Sequence, residues 1–299
     1  MALALAPGAE GPTQLLRSRV QRVFRFLPKA LNADEEALHQ LRVSGRRLRV
    51  ALPMLAVKPE GKRARRALKI LRQVTRTAGA SRDHDVMVGL LDESLKAAPA
   101  ATPAARLLRR RLLGARARSR RRMTEGLLDL EIATVRRDLR RLLVRRGEAF
   151  FTVLVRVRRA RDSEGDEAVT ALLRLQDAFL PEELHQLRIV VRRLRYLAEL
   201  MDALRGQKSQ AADLLRQLQD LLGAIRDRWL LAEWARAQAS RGAPRDTLVL
   251  RRAAAALQAT FTAESRAHHR ALLEAKPREL LQRALQAMGR PAARAGALH

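Results

Sequence analysis

The sequence predicts an all-α fold: two helical bundles of about four helices each, related by a pseudo-two-fold axis. Three observations predict it. Hydrophobic residues make up 47% of the 299 positions but aromatics only 3%, so the core must be built from Leu, Ala and Val, which suits helices packed on helices. Apolar residues recur at spacings of three and four along most of the chain, the period of an amphipathic helix. Finally, HQLRVSGRRLR, from His39 to Arg49, returns as HQLRIVVRRLR, from His185 to Arg195. Ten of fourteen positions are identical between Glu36–Arg49 and Glu182–Arg195, and a repeat near half the chain length argues for internal duplication.

The elements follow in order. A helix from about Thr13 is expected to stop at Pro28, where a ring would clash with the preceding turn. Asn32 and Asp34 offer caps for a second helix running to about Val57, ahead of Pro59. A third spans about Gly61 to Ala78 and ends at Gly79, after which Ser81 or Asp83 caps a new helix through DVMVGLLDESL. Thr102 and Pro103 open a long basic helical region. The stretch from Arg161 to Val169 is the expected boundary between halves. Beyond it a helix runs from Pro181 to about Leu204, another ends at Gly223, and RDRWLLAEW starts the next. Segments from Pro244 to Ala275 and Pro277 to Met288 are helical. The division is thus residues 13–160 and 165–288, forming one domain together, with 1–12 and 289–299 as loose termini.

The repeat extends past the basic stretch: Gly79 answers Gly223, and Arg82-Asp83 answers Arg226-Asp227. On a helix of 100° per residue with His39 at zero, Arg46, Arg42 and Arg49 fall at about 340°, 300° and 280°. They make one basic strip. Leu38, Leu41, Gly45, Leu48 and Leu52 lie directly beside it, at about 180° to 260°. His185, Arg188, Arg192 and Arg195 repeat the strip. Arg47 and Arg193 project away, near about 80°, and count as additional candidates with Lys69, Arg72, Arg82, Arg216 and Arg226 at the rim.

Sixty Lys plus Arg against 31 Asp plus Glu give a formal net charge of +29, which calls for an anionic partner. The first strip has no acid from Leu38 to Leu55, so its stacked cations lack local counter-charges. Guanidinium forks match phosphate oxygens in pairs, and His adds a further donor. Single-stranded nucleic-acid sites offer several stacking rings; the sole tyrosine, Tyr196, stands at the end of the second strip. The pattern therefore favours a polyanion with phosphates and no bases. The absence of cysteine excludes disulfides, thiolate metal sites and Cys nucleophiles. With no signal peptide and no long apolar run, a cytoplasmic protein away from the membrane is expected.

The paired LHQLRVSGRRLR and LHQLRIVVRRLRY, followed by LRQVTRTAGASRDHDVMVGLL and LRQLQDLLGAIRDRWLLAEW, resemble the CHAD family, the conserved histidine α-helical domain, over about Thr13 to Met288. The resemblance implies two four-helix bundles binding inorganic polyphosphate in a central basic groove. It also implies that His39, Arg42, Arg46, Arg49, His185, Arg188, Arg192 and Arg195 contact that polymer, and that the protein is recruited to polyphosphate granules. The family often carries Lys at the position of Arg193, and Ser44 and Gly45 are weak helix formers. The Glu-x-Glu-x-Lys strand of a triphosphate tunnel domain is not found, so a free-standing binding module is expected.

Competing readings remain. RNA or DNA could occupy the groove on charge alone, as a weak nonspecific partner. His39 and His185 could act as phosphoacceptors or acid–base groups in polyphosphate turnover. No Gly-rich phosphate loop, nucleophile elbow or paired-carboxylate motif accompanies them, and the expectation is a binding protein without catalytic residues, cofactor or metal. Asp83 and Asp85 in RDHDV sit about 200° apart on a helix, which favours a cap and an arginine pairing over a metal site. His268 and His269 are expected at the surface, Trp229 and Trp234 in packing.

Overall fold

The computed structural model describes residues 11–32, 34–97, 102–144, 149–240 and 248–289. These contain ten α-helices and no strand: α1 (Pro12–Leu31), α2 (Glu35–Leu55), α3 (Lys62–Ala97), α4 (Pro103–Leu128), α5 (Ile132–Val144), α6 (Phe150–Leu175), α7 (Pro181–Arg205), α8 (Ala211–Ser240), α9 (Leu248–Glu274) and α10 (Pro277–Ala287). The first half of α3 packs with α2 and α5, which both also meet α1, and the first half of α8 packs with α7 and α10, which both also meet α6. Four helices therefore stand on each side. α4 and α9 add a further layer along the projecting second halves of α3 and α8.

Most of the core is one continuous cluster, with Leu41, Leu71, Leu187 and Leu215 contributing from α2, α3, α7 and α8. Leu41, Leu48 and Leu52 are all fully buried, each contributing about 1.5–3 kcal/mol. This stripe fixes the rotation of α2 and so aims its basic strip. A second cluster joins Met87 and Leu91, Leu112, Leu231 and Phe261 from α3, α4, α8 and α9. The two clusters flank the meeting place of α2, α3, α7 and α8.

Local chemistry accounts for several helix starts. The Asp34 side chain accepts from the Ala37 amide at 2.7 Å, with Glu35 and Glu36 in the first turn, favourable at the positive end of the helix. Thr102 caps α4 by accepting from Ala105, and Pro103 occupies the first turn. Asn32, by contrast, sits at the C-terminal end of α1.

Four expectations are corrected. Pro28 does not stop α1, which continues to Leu31 with Leu27 and Ala30 buried; packing of the last turn outweighs the lost hydrogen bond. Gly79 and Gly223 do not end helices. α3 and α8 run straight through them, so Ser81 and Asp83 are helix-interior residues and cap nothing. The stretch from Arg161 to Val169 is no linker but the middle of α6, with Arg161, Gly165 and Ala168 buried. His269 is not a surface residue: it is buried and meets the Phe179 ring edge-on at 5.5 Å. The predicted start at Pro244, and the termini apart from Gly11, Pro12 and Gly289, lie outside the described residues.

Candidate anion-binding groove

α2 and α7 face each other across a cavity of about 700 Å³, with α3 and α8 forming its other walls. His39, Arg42, Arg46, His185, Arg188, Arg192 and Arg195 all line it. A second cavity of about 260 Å³ is lined by Arg49 and Arg72, and shares Arg46, Ile189, Arg192 and Tyr196 with the first. The shared side chains make the two cavities one groove passing between α2 and α7. All eight strip residues thus converge, as the helical geometry requires.

Interior glycines of α3 and α8 stand behind two of these arginines. A Cβ on Gly223 would stand 3.5 Å from Arg188 Nε and 3.6 Å from its Nη2. One on Gly79 would stand 4.0 Å from Arg42 Nη2. Both are ordinary contact distances, so the arginines lie directly against the helix backbone at these positions.

The walls are strongly positive and poorly neutralised. Burial and the neighbouring Arg46 lower the Arg42 guanidinium to about 10, and burial with Arg46 and Arg188 lowers Arg192 to about 9. Both stay cationic at neutral pH. Burial also lowers Arg46 and Arg49. His185 is pushed down to about 4 by burial, then by Arg226 and Arg188, and His39 is lowered chiefly by burial; both imidazoles are neutral at pH 7. The buried polar atoms lacking a protein hydrogen-bond partner include Arg42 Nε, Arg188 Nε, Arg195 Nε, His185 Nδ1 and Gln219 Oε1, all from groove-lining residues.

The acids in the groove are Asp83, 3.9 Å from Arg42 Nη2, and Asp227, whose carboxyl is raised by burial despite Arg188. Asp83 therefore takes the predicted arginine pairing from mid-helix, while Asp85 turns away to Arg116 at 2.6 Å and Arg120 at 3.1 Å. No group of three or more potential metal ligands occurs among the described residues. Most other carboxylates are committed elsewhere: Asp138 to Arg66 at 2.6 Å, Glu264 to Arg228 at 3.0 Å, Asp92 to Arg109 at 2.6 Å.

The rim candidates divide. Arg47, Arg72, Arg82, Arg193 and Arg226 all border the groove, and Arg226 lies 3.4 Å from Glu182. Lys69 is exposed and lines neither cavity, and Arg216 pairs with Asp213 at 3.0 Å instead. Arg47 reaches α7, where Nε and Nη2 donate to Glu199 at 2.6 and 2.9 Å. Arg193 is held by Glu164 and Glu167, each at 2.6 Å. These two serve as struts between helices more than as donors to a ligand.

Tyr196 has a role that the sequence hid. The Arg47 and Arg195 guanidinia lie over its buried ring, 5.6 and 4.9 Å from its centroid, and its hydroxyl faces Arg46. Thr75 likewise accepts from Arg49 Nη1 at 3.0 Å. The strip's helical wheel carries no signal for either, because both interactions join different helices.

The CHAD-domain family model matches residues 14–236 and again 181–298. PptA from Streptomyces chartreusis has a similar structure, with a TM-score of 0.67 and 19% identity over 92% of this chain and 98% of that one. The crystal structure of the CHAD domain from the plant Ricinus communis is similar with a TM-score of 0.60 and 22% identity, over 98% and 96% of the two chains. No curated protein matches the chain. No helix among the described residues is long and apolar enough to cross a membrane. The family match across both halves shows that this chain belongs to the CHAD-domain family.

Proposed function

We propose that the groove binds inorganic polyphosphate, capturing the polymer electrostatically without turning it over. The observation that carries this reading is the convergence of Arg42, Arg46, Arg188 and Arg192 in one cavity, where burial and the neighbouring guanidinia lower the proton affinity of Arg42 and Arg192. Like charges brought together out of water destabilise the free protein, and a chain of phosphates supplies the counter-charge repeatedly along its length. Guanidinium N–H groups donate to paired phosphate oxygens. The neutral imidazoles of His39 and His185 donate one hydrogen bond each.

A base-bearing polymer fits less well, since Tyr196 is the sole Phe, Tyr or Trp lining the groove and two guanidinia already lie over its ring. Catalysis lacks support of its own: the groove holds neither a nucleophile beside a base nor a pair of acids and bases set apart by environment. The matching order of α1–α5 and α6–α10 supports duplication of one unit, with the division between the copies falling ahead of α6 and not at the expected 160–165. Affinity for polyphosphate would recruit the protein to polyphosphate granules.

Competition tests the reading. Labelled long-chain polyphosphate is displaced by unlabelled polyphosphate, RNA or duplex DNA at fixed near-physiological salt, since salt weakens all three. Polyphosphate is expected to compete far better than either nucleic acid, and Arg42→Ala/Arg46→Ala/Arg188→Ala/Arg192→Ala to lose that preference while remaining helical. Equal competition by RNA, with the variant binding as the wild type does, would overturn the proposal. Release of phosphate or a phosphohistidine on incubation would overturn the binding-only reading.

A further inference from the structure

The arginines of α4 fall into two sets. Those facing α3 and α2 are neutralised: Arg109 pairs with Asp92, and Arg116 and Arg120 with Asp85 and Glu35. On the face toward α8, Arg110 and Arg118 form no ion pair with any described residue. They border a cavity of about 520 Å³, apart from the central groove, together with Arg111, Gly114, Trp234 and Gln238.

Each wall brings a different chemistry. Gly114 follows Arg110 by four residues and Arg111 by three, and Arg118 follows Gly114 by four, so the four residues share one face of α4. Gly114 forms a bare floor: a Cβ there would come within 3.4 Å of Arg118 Nη1. Half-buried Trp234 packs against the α4–α9 apolar cluster and presents the rest of its indole to the cavity. Gln238, only 5% exposed, carries an amide that both donates and accepts. The unpaired guanidinia of Arg110 and Arg118, a large ring and an amide in a space of small-ligand size match an anion that also bears a flat heterocycle. Tryptophan is well suited to stack on such a ring, and every nucleobase has a π face.

We propose that the α4–α8 cavity is a second binding site, specific for a nucleoside phosphate, with the base stacked on Trp234 and the phosphates held by Arg110 and Arg118. This site is independent of polyphosphate binding in the central groove. The two differ in what they recognise: repeated phosphates in one, a ring joined to phosphates in the other.

The test uses the full chain carrying Trp229→Phe, leaving Trp234 as the sole tryptophan, with helical circular dichroism as the folding control. ADP, adenosine and inorganic tripolyphosphate are titrated while Trp234 emission is followed, with the central groove empty and then saturated with polyphosphate. ADP is expected to quench Trp234 in both states and adenosine to bind far more weakly. Arg110→Ala/Arg118→Ala should weaken ADP at least about tenfold and leave polyphosphate affinity unchanged. Gly114→Leu, filling the floor, should block ADP in a folded protein. The proposal is overturned if ADP leaves Trp234 emission unchanged at millimolar concentration, or if the double variant binds ADP as well as its parent. It is equally overturned if polyphosphate or Arg46→Ala/Arg192→Ala abolishes ADP binding, which would put the nucleotide in the central groove. Polyphosphate affinity, measured in parallel, reports separately on the function proposed for that groove.

Discussion

α2 and α7 present the same histidine and three arginines to the groove, yet each is seated differently. Gly45 in α2 lies so close to α3 that a Cβ would meet Thr75 Cγ2 at 2.9 Å. Its counterpart in α7 is the fully buried Val191, opposite α8, where Gln219 replaces Thr75. Arg49 is anchored through Thr75, whereas Arg195 lies over Tyr196 and 4.0 Å from Glu199. Arg47 braces α2 against α7, and Arg193 braces α7 against α6. The ligand-facing chemistry is common to the two helices while the support behind it is not. Such a pattern is expected where an extended anion requires the same donors from both sides and each helix has its own neighbours.

The largest effect should separate ligand-facing arginines from struts one position away. Arg46→Ala/Arg192→Ala removes the two arginines common to both cavities and should weaken polyphosphate binding on the order of a hundredfold, given about 1.5–3 kcal/mol for a hydrogen bond involving a charged group. Arg47→Ala/Arg193→Ala removes the same formal charge, but from guanidinia already engaged by Glu199, Glu164 and Glu167. It should change affinity by less than about threefold, since only the field of screened charges is altered. Equilibrium binding of one labelled polymer to both variants is decisive: equal losses would mean that net charge, not the strip, governs capture.

The second effect concerns the support. Gly45→Val writes the α7 residue into α2 and drives a branched side chain into Thr75. It should cost about 1–3 kcal/mol, the usual range for overpacking, measured by denaturant unfolding. Thr75→Ala in the same chain should recover part of that loss, and the double-mutant cycle should show coupling between the two positions. Additive losses would place the strain elsewhere. The reciprocal Val191→Gly empties a filled position and should also destabilise, through lost burial and helix entropy.

The contrast between strip and support marks how far the sequence could be read. Helical periodicity alone places His39, Arg42, Arg46 and Arg49 on one face, and the repeat places their partners, because both rest on geometry within a single helix. Gly79 and Gly223 were misread as terminators for the same reason. Glycine does weaken a helix locally, but α3 and α8 run through both positions, with Arg42 and Arg188 of the facing helices lying against them. Asp227, Gln219 and Thr75 enter the groove from α3 and α8, and no pattern within either helix marks them. Helical periodicity already turns Arg47 and Arg193 away from the strip, but only the fold shows the carboxylates on other helices that hold them. Arg161–Val169, rich in charge and containing Gly165, resembles a linker, but the burial of Arg161, Gly165 and Ala168 keeps it helical.

The smallest effect should come from the two histidines, and here again the copies differ. Burial, Arg226 and Arg188 hold His185 at about 4, well below the ordinary histidine value of about 6.5; His39 is lowered too, with Glu36 partly opposing burial. In the free protein the folded state binds fewer protons than the unfolded state between about pH 4 and 6.5. Stability contributed by His185 is therefore complete above about 6.5 and falls as the pH is lowered toward about 4. A bound polyanion reverses the local field and raises both imidazoles, so binding takes up protons and must strengthen as the pH falls through the same window. Polyphosphate affinity should rise a few-fold from pH 7.5 to 5.5, roughly, at constant ionic strength. His185→Gln, which keeps a hydrogen-bond donor but cannot titrate, should flatten more of that slope than His39→Gln, because His185 has further to climb. An affinity that ignores pH in the wild type would mean that neither imidazole senses the phosphates, leaving the arginines alone to hold the chain.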